Sequence, residues 1–285
     1  MLTELSEDAA TGSIAEIYDE IRRLWAVPYV SSLQRHLASR PAQPNWLEWC
    51  WSALAPAFSS GQAQTAGWRV AGELALPALK SIDTDQLQTL GVSEADQDVI
   101  VTVCAGFVRV APVNLMFAGL LRHLLAGRRP QGEGWAEHTH TWQPPRALPA
   151  LPPMVDVMGA EGDLRAVLLR LGTEVDGTPF VPGLYRILAG WPDYLNHLGE
   201  VLIPLFESPE TDAARAELLS GIDGAVEELF VQLPPLAKQE TPAAEDFPAI
   251  LAALDTYRRT SPEMVTFGRM IAGALPQEPT SLRDT

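Results

Sequence analysis

The chain is short of cysteine and of basic residues, and each shortage excludes a class of protein. Its 285 residues include only two cysteines, Cys50 and Cys104, which form no Cys-x-x-Cys pair. We therefore expect two core thiols in a reducing cytoplasm, and no redox motif. The 20 basic residues face 36 acidic ones, which gives a formal net charge of −16. Because binding to nucleic acids and to anionic membranes depends on Lys and Arg, neither is an expected partner.

Long hydrophobic runs are missing as well, although 47% of the residues are hydrophobic. The longest runs, such as residues 99–103, are far shorter than the ~20 residues that a membrane-spanning helix needs. The first residues show no basic segment followed by an apolar stretch and a cleavage site. We expect a soluble, cytoplasmic protein with enough apolar residues for one large domain or two of ordinary size.

Strand-like alternation and cofactor motifs are absent too. The β-branched run at residues 99–103 lies inside a longer segment of helical periodicity that reaches Leu125 and ends at Gly127. The sequence therefore predicts an all-α fold.

Phosphate-binding loops and dinucleotide fingerprints are not recognisable, so no cofactor is expected. His138 and His140 offer two imidazoles, but zinc needs three or four ligands, so no metal site is expected.

Two segments of the chain repeat one another. Residues 27–41 and 178–192 align without a gap and share seven identities in fifteen positions. Upstream, apolar residues at helical spacing follow Gly12-Ser13 in one copy and Gly162-Asp163 in the other. The chain is therefore predicted to be a tandem duplication of one helical unit, with the second copy beginning near Gly162.

The duplication sets the expected domain organisation. Residues 109–119 and 258–268 also correspond, with weaker identity. Residues 127–153 hold six prolines and three glycines and show no helical period, which is typical of a linker. We predict a first helical repeat over residues 1–126, a linker over 127–153 and a second helical repeat over 154–285. The two repeats are expected to pack as an internal pseudo-dimer with a ligand cleft between them.

Several phrases of the sequence resemble one enzyme family. They are Val27-Pro28-Tyr29-Val30, Leu188-Ala189-Gly190-Trp191-Pro192 and Leu202-Ile203-Pro204. With the tandem repeat around them, they resemble the group I D,L-2-haloacid dehalogenases, also called the halocarboxylic acid dehydrogenase family, over nearly the whole chain. The resemblance implies an all-helical pseudo-dimer that forms a homodimer. It also implies a cofactor-independent hydrolase whose ligand is a small carboxylic acid, a 2-halo acid of either hand.

The resemblance also implies a mechanism. In that family an aspartate acts as general base on a water molecule, which attacks the halogen-bearing carbon directly and forms no covalent ester. Here the family's Ser-Asp pair falls on Gly183 and Leu184, and a leucine cannot accept a proton. The family's asparagine falls on Ala111, although Asn114 lies nearly one turn further along the same predicted helix. The catalytic residues are therefore unknown from the sequence.

The family's pocket maps onto six positions of this chain, and one of them is matched. Tyr257 corresponds to a pocket tyrosine, whereas Tyr29 and Ser32 stand where the family has tryptophan and phenylalanine. The six predicted pocket residues are Tyr29, Ser32, Ala111, Gly183, Leu184 and Tyr257.

Other charged residues are candidates for the missing chemistry. Glu48, Asp193 and Glu200 could each replace the base, although Asp193 also suits the first turn of a helix. Arg35 and Arg186 occupy equivalent positions in the two copies. They could clamp a carboxylate ligand, or they could tie each repeat together by bonding to helix ends and nearby acids.

Two functions from different classes remain open at this point. The resemblance favours a hydrolase of the haloacid dehalogenase type, or a relative that acts on another small carboxylic acid with a relocated base. The substitutions at Ala111, Gly183 and Leu184 favour a non-catalytic small-ligand-binding or structural protein on the same scaffold. A buried carboxylate within reach of water would support the enzyme, whereas apolar filling of the site would not.

Overall fold

The structure, a computed structural model, describes residues 3–42, 44–135, 142–175, 178–236 and 241–276. It contains 66% helix and 2% strand, which confirms the all-α prediction. In the described residues the α-helices are α1 (Gly12–Trp25), α2 (Ser32–Ala38), α3 (Trp46–Ser59), α4 (Gln62–Glu73), α5 (Thr84–Thr89), α6 (Glu94–Leu125), α7 (Gly162–Arg170), α8 (Gly183–Leu188), α9 (Pro192–Leu202), α10 (Pro209–Gln232) and α11 (Phe247–Ala274).

Helix α1 shows why the periodic segments form helices. Its residues Ile21, Leu24 and Trp25 lie on one face and are almost fully buried, and burying each such side chain contributes about 1.5–3 kcal/mol. Helix α7 repeats this pattern with fewer buried residues. Helices α1 and α7 begin at Gly12 and Gly162, where φ is 56° and 55°.

Helix α6 is apolar along much of its length and is longer than the sequence predicted, because it begins at Glu94. By length and composition it could cross a membrane, but 67% of its most apolar window is buried inside the structure. That burial is typical of a core helix in a globular protein. No second helix in the described part of the chain meets the same criteria.

A small hairpin was not predicted. Strands β1 (Thr173–Val175) and β2 (Thr178–Phe180) pair in antiparallel register, with Thr173 opposite Phe180. The dipeptide Asp176-Gly177 between them in the sequence is of the type favoured in two-residue hairpin loops. Three-residue strands carry too little alternation for a pattern search to detect.

The chain divides into two compact units that are not contiguous in sequence. Each unit takes segments from both predicted repeats, so the units are not the repeats themselves. The boundaries at residues 126 and 153 describe the repeat and stay a prediction. Unit 1 comprises Met1–Leu74, Arg109–Ala150 and Glu217–Pro262, and unit 2 comprises Ala75–Val108, Leu151–Ala216 and Glu263–Thr285.

Aromatic side chains fill the core of unit 1. The ring centroids of Trp25 and Phe58 lie 5.9 Å apart, and both rings contact Phe117. The described part of the predicted linker packs on the same unit, because the Arg109 guanidinium donates to the carbonyl oxygens of Ala26 and Arg146, at 2.9 Å each. This segment therefore contributes backbone hydrogen-bond acceptors to the packing of unit 1.

Unit 2 has its own core around helices α8 and α9. Tyr185 and Tyr194 are fully buried there, and the rings of Phe206 and Phe267 lie 5.1 Å apart. This packing fixes α8, the helix that carries the positions where the resemblance places the catalytic residues.

Candidate functional site

The resemblance places the family's catalytic pair at Gly183 and Leu184 in unit 2, where apolar side chains fill the space. Leu184 has no exposed surface. A Cβ at Gly183 would lie 2.9 Å from both the Met154 Cε and the Phe107 Cζ, closer than real Cβ contacts allow. The Ser-Asp pair of the family therefore cannot be accommodated here without movement of these neighbours.

A carboxyl group nevertheless lies in the same unit, held by the residue that follows Leu184. The buried Tyr185 hydroxyl donates to Glu263 Oε1 at 2.8 Å, and Glu263 itself is half-buried. Burial raises the pKa of Glu263 from 4.5 to about 7, and the Tyr185 hydrogen bond and the Arg215 guanidinium limit the rise. A carboxyl group that titrates near neutral pH is suited to general-base catalysis.

Other buried groups of unit 2 lie around this pair. Burial raises the pKa of the Cys104 thiol to about 12, so that it stays protonated, and the thiol interacts electrostatically with both Tyr185 and Tyr194. The Tyr194 hydroxyl is buried and makes no hydrogen bond within the described residues. Cys50, in unit 1, is a second buried free thiol, as expected for core cysteines.

Three of the predicted pocket residues come together in unit 1. The Tyr257 hydroxyl accepts a hydrogen bond from the Leu33 backbone N–H at 2.9 Å and also bonds to the Ser32 side chain. Burial raises the pKa of Tyr257 to about 12. Tyr29 interacts with Tyr257, and burial raises the pKa of Tyr29 as well. Both phenols are therefore neutral at physiological pH and can donate hydrogen bonds.

A chain of buried polar side chains lies beside this group in unit 1. Asn114 Nδ2 donates to the Ser31 hydroxyl at 3.0 Å, and Gln34 Nε2 donates to Asn114 Oδ1 at 3.2 Å. Gln34 Oε1 is buried and makes no hydrogen bond among the described residues. Ala111, where the resemblance places the family's asparagine, is buried one turn earlier in α6. An amide is thus present in unit 1, but amides do not accept protons as bases.

The two repeat-related arginines are each bonded within their own unit. Arg35 forms an ion pair with Glu4 at 2.7 Å and donates to the Ser32 hydroxyl at 3.3 Å. Arg186 Nε donates to the Val155 carbonyl oxygen at 3.1 Å, and the Val155 N–H returns a hydrogen bond to the Arg186 carbonyl at 2.9 Å. Both side chains therefore tie segments of their unit together.

The acids that the sequence offered as replacement bases are in ordinary surroundings. Asp193 and Glu200 are exposed, and Asp193 lies in the first turn of α9. Glu48 accepts a hydrogen bond from Ser13. His138 and His140 lie outside the described residues. Within the described residues no group of three His, Cys, Asp or Glu side chains is placed to hold a metal ion.

Sequence reasoning missed Glu263, although a signal was present. When residues 109–119 are aligned with residues 258–268 without a gap, Glu263 falls opposite Asn114. In the stronger alignment, Tyr185 falls opposite Gln34. The weak identity of the first match and the abundance of acids in this chain hid the correspondence.

Comparison with curated proteins gives two haloacid dehalogenases. The chain is 25% identical to the (R)-2-haloacid dehalogenase of Pseudomonas putida in an alignment 227 residues long, which covers 76% of this chain and 73% of that protein. It is 23% identical to the (R)-2-haloacid dehalogenase of Rhizobium sp. (strain NHG3) over 227 residues, 76% of this chain and 84% of that protein. No protein-family model matches the chain.

Solved structures of D-2-haloacid dehalogenases share the fold. A D-2-haloacid dehalogenase mutant in complex with D-2-CPA aligns at a TM-score of 0.63 and 22% identity, covering 96% of this chain and 94% of that one. A D-2-haloacid dehalogenase with L-LA aligns at 0.59 and 23% identity, covering 96% and 92%. The protein thus has the helical fold of the D-2-haloacid dehalogenases. The resemblance to the haloacid dehalogenases that the sequence predicted is confirmed by these relatives at 23–25% identity.

Proposed function

We propose that this protein hydrolyses the carbon–halogen bond of small 2-halo acids by direct attack of water. The observation that carries the proposal is the match to relatives named (R)-2-haloacid dehalogenase over three quarters of the chain, 76% in each case. Those names make the D, or (R), enantiomer the first substrate to test. The half-buried carboxyl group of Glu263 supports the proposal, because the reaction needs a proton acceptor.

We assign the pocket role to the residues of unit 1 that the resemblance identified. Tyr29, Ser32 and Tyr257 present hydroxyl groups whose protons are retained at neutral pH. Neutral hydroxyl donors can bind the carboxylate of a small acid without adding charge to the site. Removal of the Tyr257 hydroxyl would then weaken substrate binding more than it slows the chemical step.

We infer that the chain is an internal duplication and that its halves form a pseudo-dimer. The hydrogen bond between Gln34 and Asn114 in unit 1 and the bond between Tyr185 and Glu263 in unit 2 join positions that align between the repeats. Two equivalent contacts between equivalent positions support common descent. The pair in unit 1 consists of two amides, whereas the pair in unit 2 contains a carboxyl group. The two proposed copies therefore differ in chemistry at these positions.

A non-catalytic ligand-binding or structural protein is the second candidate. The apolar filling around Gly183 and Leu184 favours it, because the family's base cannot simply be restored there. Such a protein would bind a small carboxylic acid and leave it unchanged.

We further propose that the protein is cytoplasmic and forms a homodimer, as the resemblance implies. Because its net charge is −16, the protein is not expected to bind nucleic acids or anionic membranes. Light scattering on the purified protein would test the dimer, and a mass equal to one 31.0 kDa chain would contradict it.

Halide release is the experiment that separates the two candidate functions. Purified protein is incubated with D- and with L-2-chloropropionate, and chloride is measured against time, with propionate as the non-halogenated control. The enzyme should release chloride and hydroxy acid in equal amounts over many turnovers. Calorimetric binding of 2-chloropropionate without chloride release would contradict the enzyme and support the binding protein.

A further inference from the structure

The strongest unassigned feature of the molecule is the pair formed by Tyr185 and Glu263. Tyr185 follows Leu184 in α8, the helix on which the resemblance places the family's base, and its hydroxyl holds the Glu263 carboxyl group of α11 beside that helix. The pair joins α8 to α11 inside unit 2. No other carboxyl group among the described residues combines a buried tyrosine donor with a pKa raised by burial.

We propose that Glu263 is the relocated general base of this protein and that Tyr185 positions its carboxylate. The inference rests on the proposed hydrolysis of 2-halo acids and names the residue that performs the proton transfer. The function of Tyr185 is to hold Oε1, which leaves Oε2 as the oxygen that accepts the proton.

The step balances without a cofactor. The oxygen of a water molecule forms a bond to C2 of the 2-chloro acid while the C2–Cl bond breaks, and chloride leaves with the electron pair of that bond. One proton of the water passes to Oε2 of Glu263. The product is the 2-hydroxy acid, and the carboxyl group then returns its proton to solvent. No protein–substrate bond forms at any stage.

Electrostatics in unit 2 suit this role. Burial disfavours the charged carboxylate, and this makes the group a better proton acceptor than an exposed glutamate. The Tyr185 hydroxyl and the Arg215 guanidinium act in the opposite direction and keep a useful fraction ionised at neutral pH. Removing the Tyr185 donor should therefore make the carboxylate harder to ionise.

The test compares Glu263→Gln with Glu200→Gln, a matched change at an exposed acid. Chloride release from D-2-chloropropionate should fall by about 100-fold or more in Glu263→Gln, since a general base contributes at least that factor. It should stay within about twofold of wild type in Glu200→Gln. Equal release by wild type and Glu263→Gln overturns the role of Glu263 and leaves the proposed function standing. No release by wild type overturns the proposed function and the base with it.

A second variant keeps the acid in place and so does not depend on how well Glu263→Gln folds. In wild type the rate should rise with pH and reach half its maximum near the pKa of Glu263, about 7. Tyr185→Phe should move that midpoint to higher pH, because the ionised form loses a hydrogen bond. Tyr194→Phe is the control, since its hydroxyl makes no hydrogen bond within the described residues. A profile that Tyr185→Phe leaves unmoved overturns the inference.

Discussion

Replacing Glu263 with glutamine should change how stability depends on pH. Because burial raises the pKa of this carboxyl group in the folded protein from 4.5 to about 7, the folded state binds more protons than the unfolded state between these values. Stability from this group is therefore fully present below about pH 4.5 and is lost as pH rises through about 7. At about 1.4 kcal/mol per pKa unit, the loss is about 3 kcal/mol. Glutamine is neutral throughout and does not incur it.

Urea denaturation of wild type and Glu263→Gln at a series of pH values measures this loss directly. The free energy of unfolding of the variant, relative to wild type, should increase by about 3 kcal/mol between about pH 4.5 and about pH 8. The difference between the two curves cancels the contributions of the other titrating groups. Glu200→Gln, at an exposed position, should run parallel to wild type. Parallel curves for Glu263→Gln would refute the burial of this carboxyl group.

Three further predictions concern packing. Gly183→Ala should destabilise the protein by about 1–3 kcal/mol, because the new Cβ meets Phe107 at 2.9 Å; an unchanged urea midpoint would contradict the contact. Leu184→Asp, which restores the family's acid, should cost more than about 3 kcal/mol in the same assay, since the position has no exposed surface. Cys50 and Cys104 should resist iodoacetamide until the protein unfolds, because burial raises both thiol pKa values; labelling of native protein, detected by mass spectrometry, would count against their burial.

The sequence predicted the helical fold well where apolar periodicity was strong. Tyr18, Ile21 and Leu24 recur at the spacing of one helix face, and all three are buried. The long segment ending at Gly127 forms α6, which begins at Glu94 instead of at residue 99. The first turn of this helix holds acids rather than apolar residues, so the hydrophobic period could not mark its start.

The candidate site was predicted only in part, and the reason is that burial is a property of tertiary packing. The resemblance places the family's base at Leu184, and that position is fully buried. The resemblance could not identify Glu263, which looks like any of 36 acidic residues until Tyr185 and the core of unit 2 surround it. The signal in the sequence is that Glu263 aligns with the polar residue Asn114 when residues 258–268 are compared with residues 109–119.

Under the proposed function, the oxygen of water is transferred directly to the halogen-bearing carbon. The most direct measurement is a single turnover with protein in excess over D-2-chloropropionate, in water enriched in the heavy oxygen isotope, followed by mass spectrometry of product and protein. We expect that chloride is released, that the hydroxy acid carries one heavy oxygen and that the protein carries none. Unreacted 2-chloropropionate, or heavy oxygen in a protein carboxylate, would contradict it.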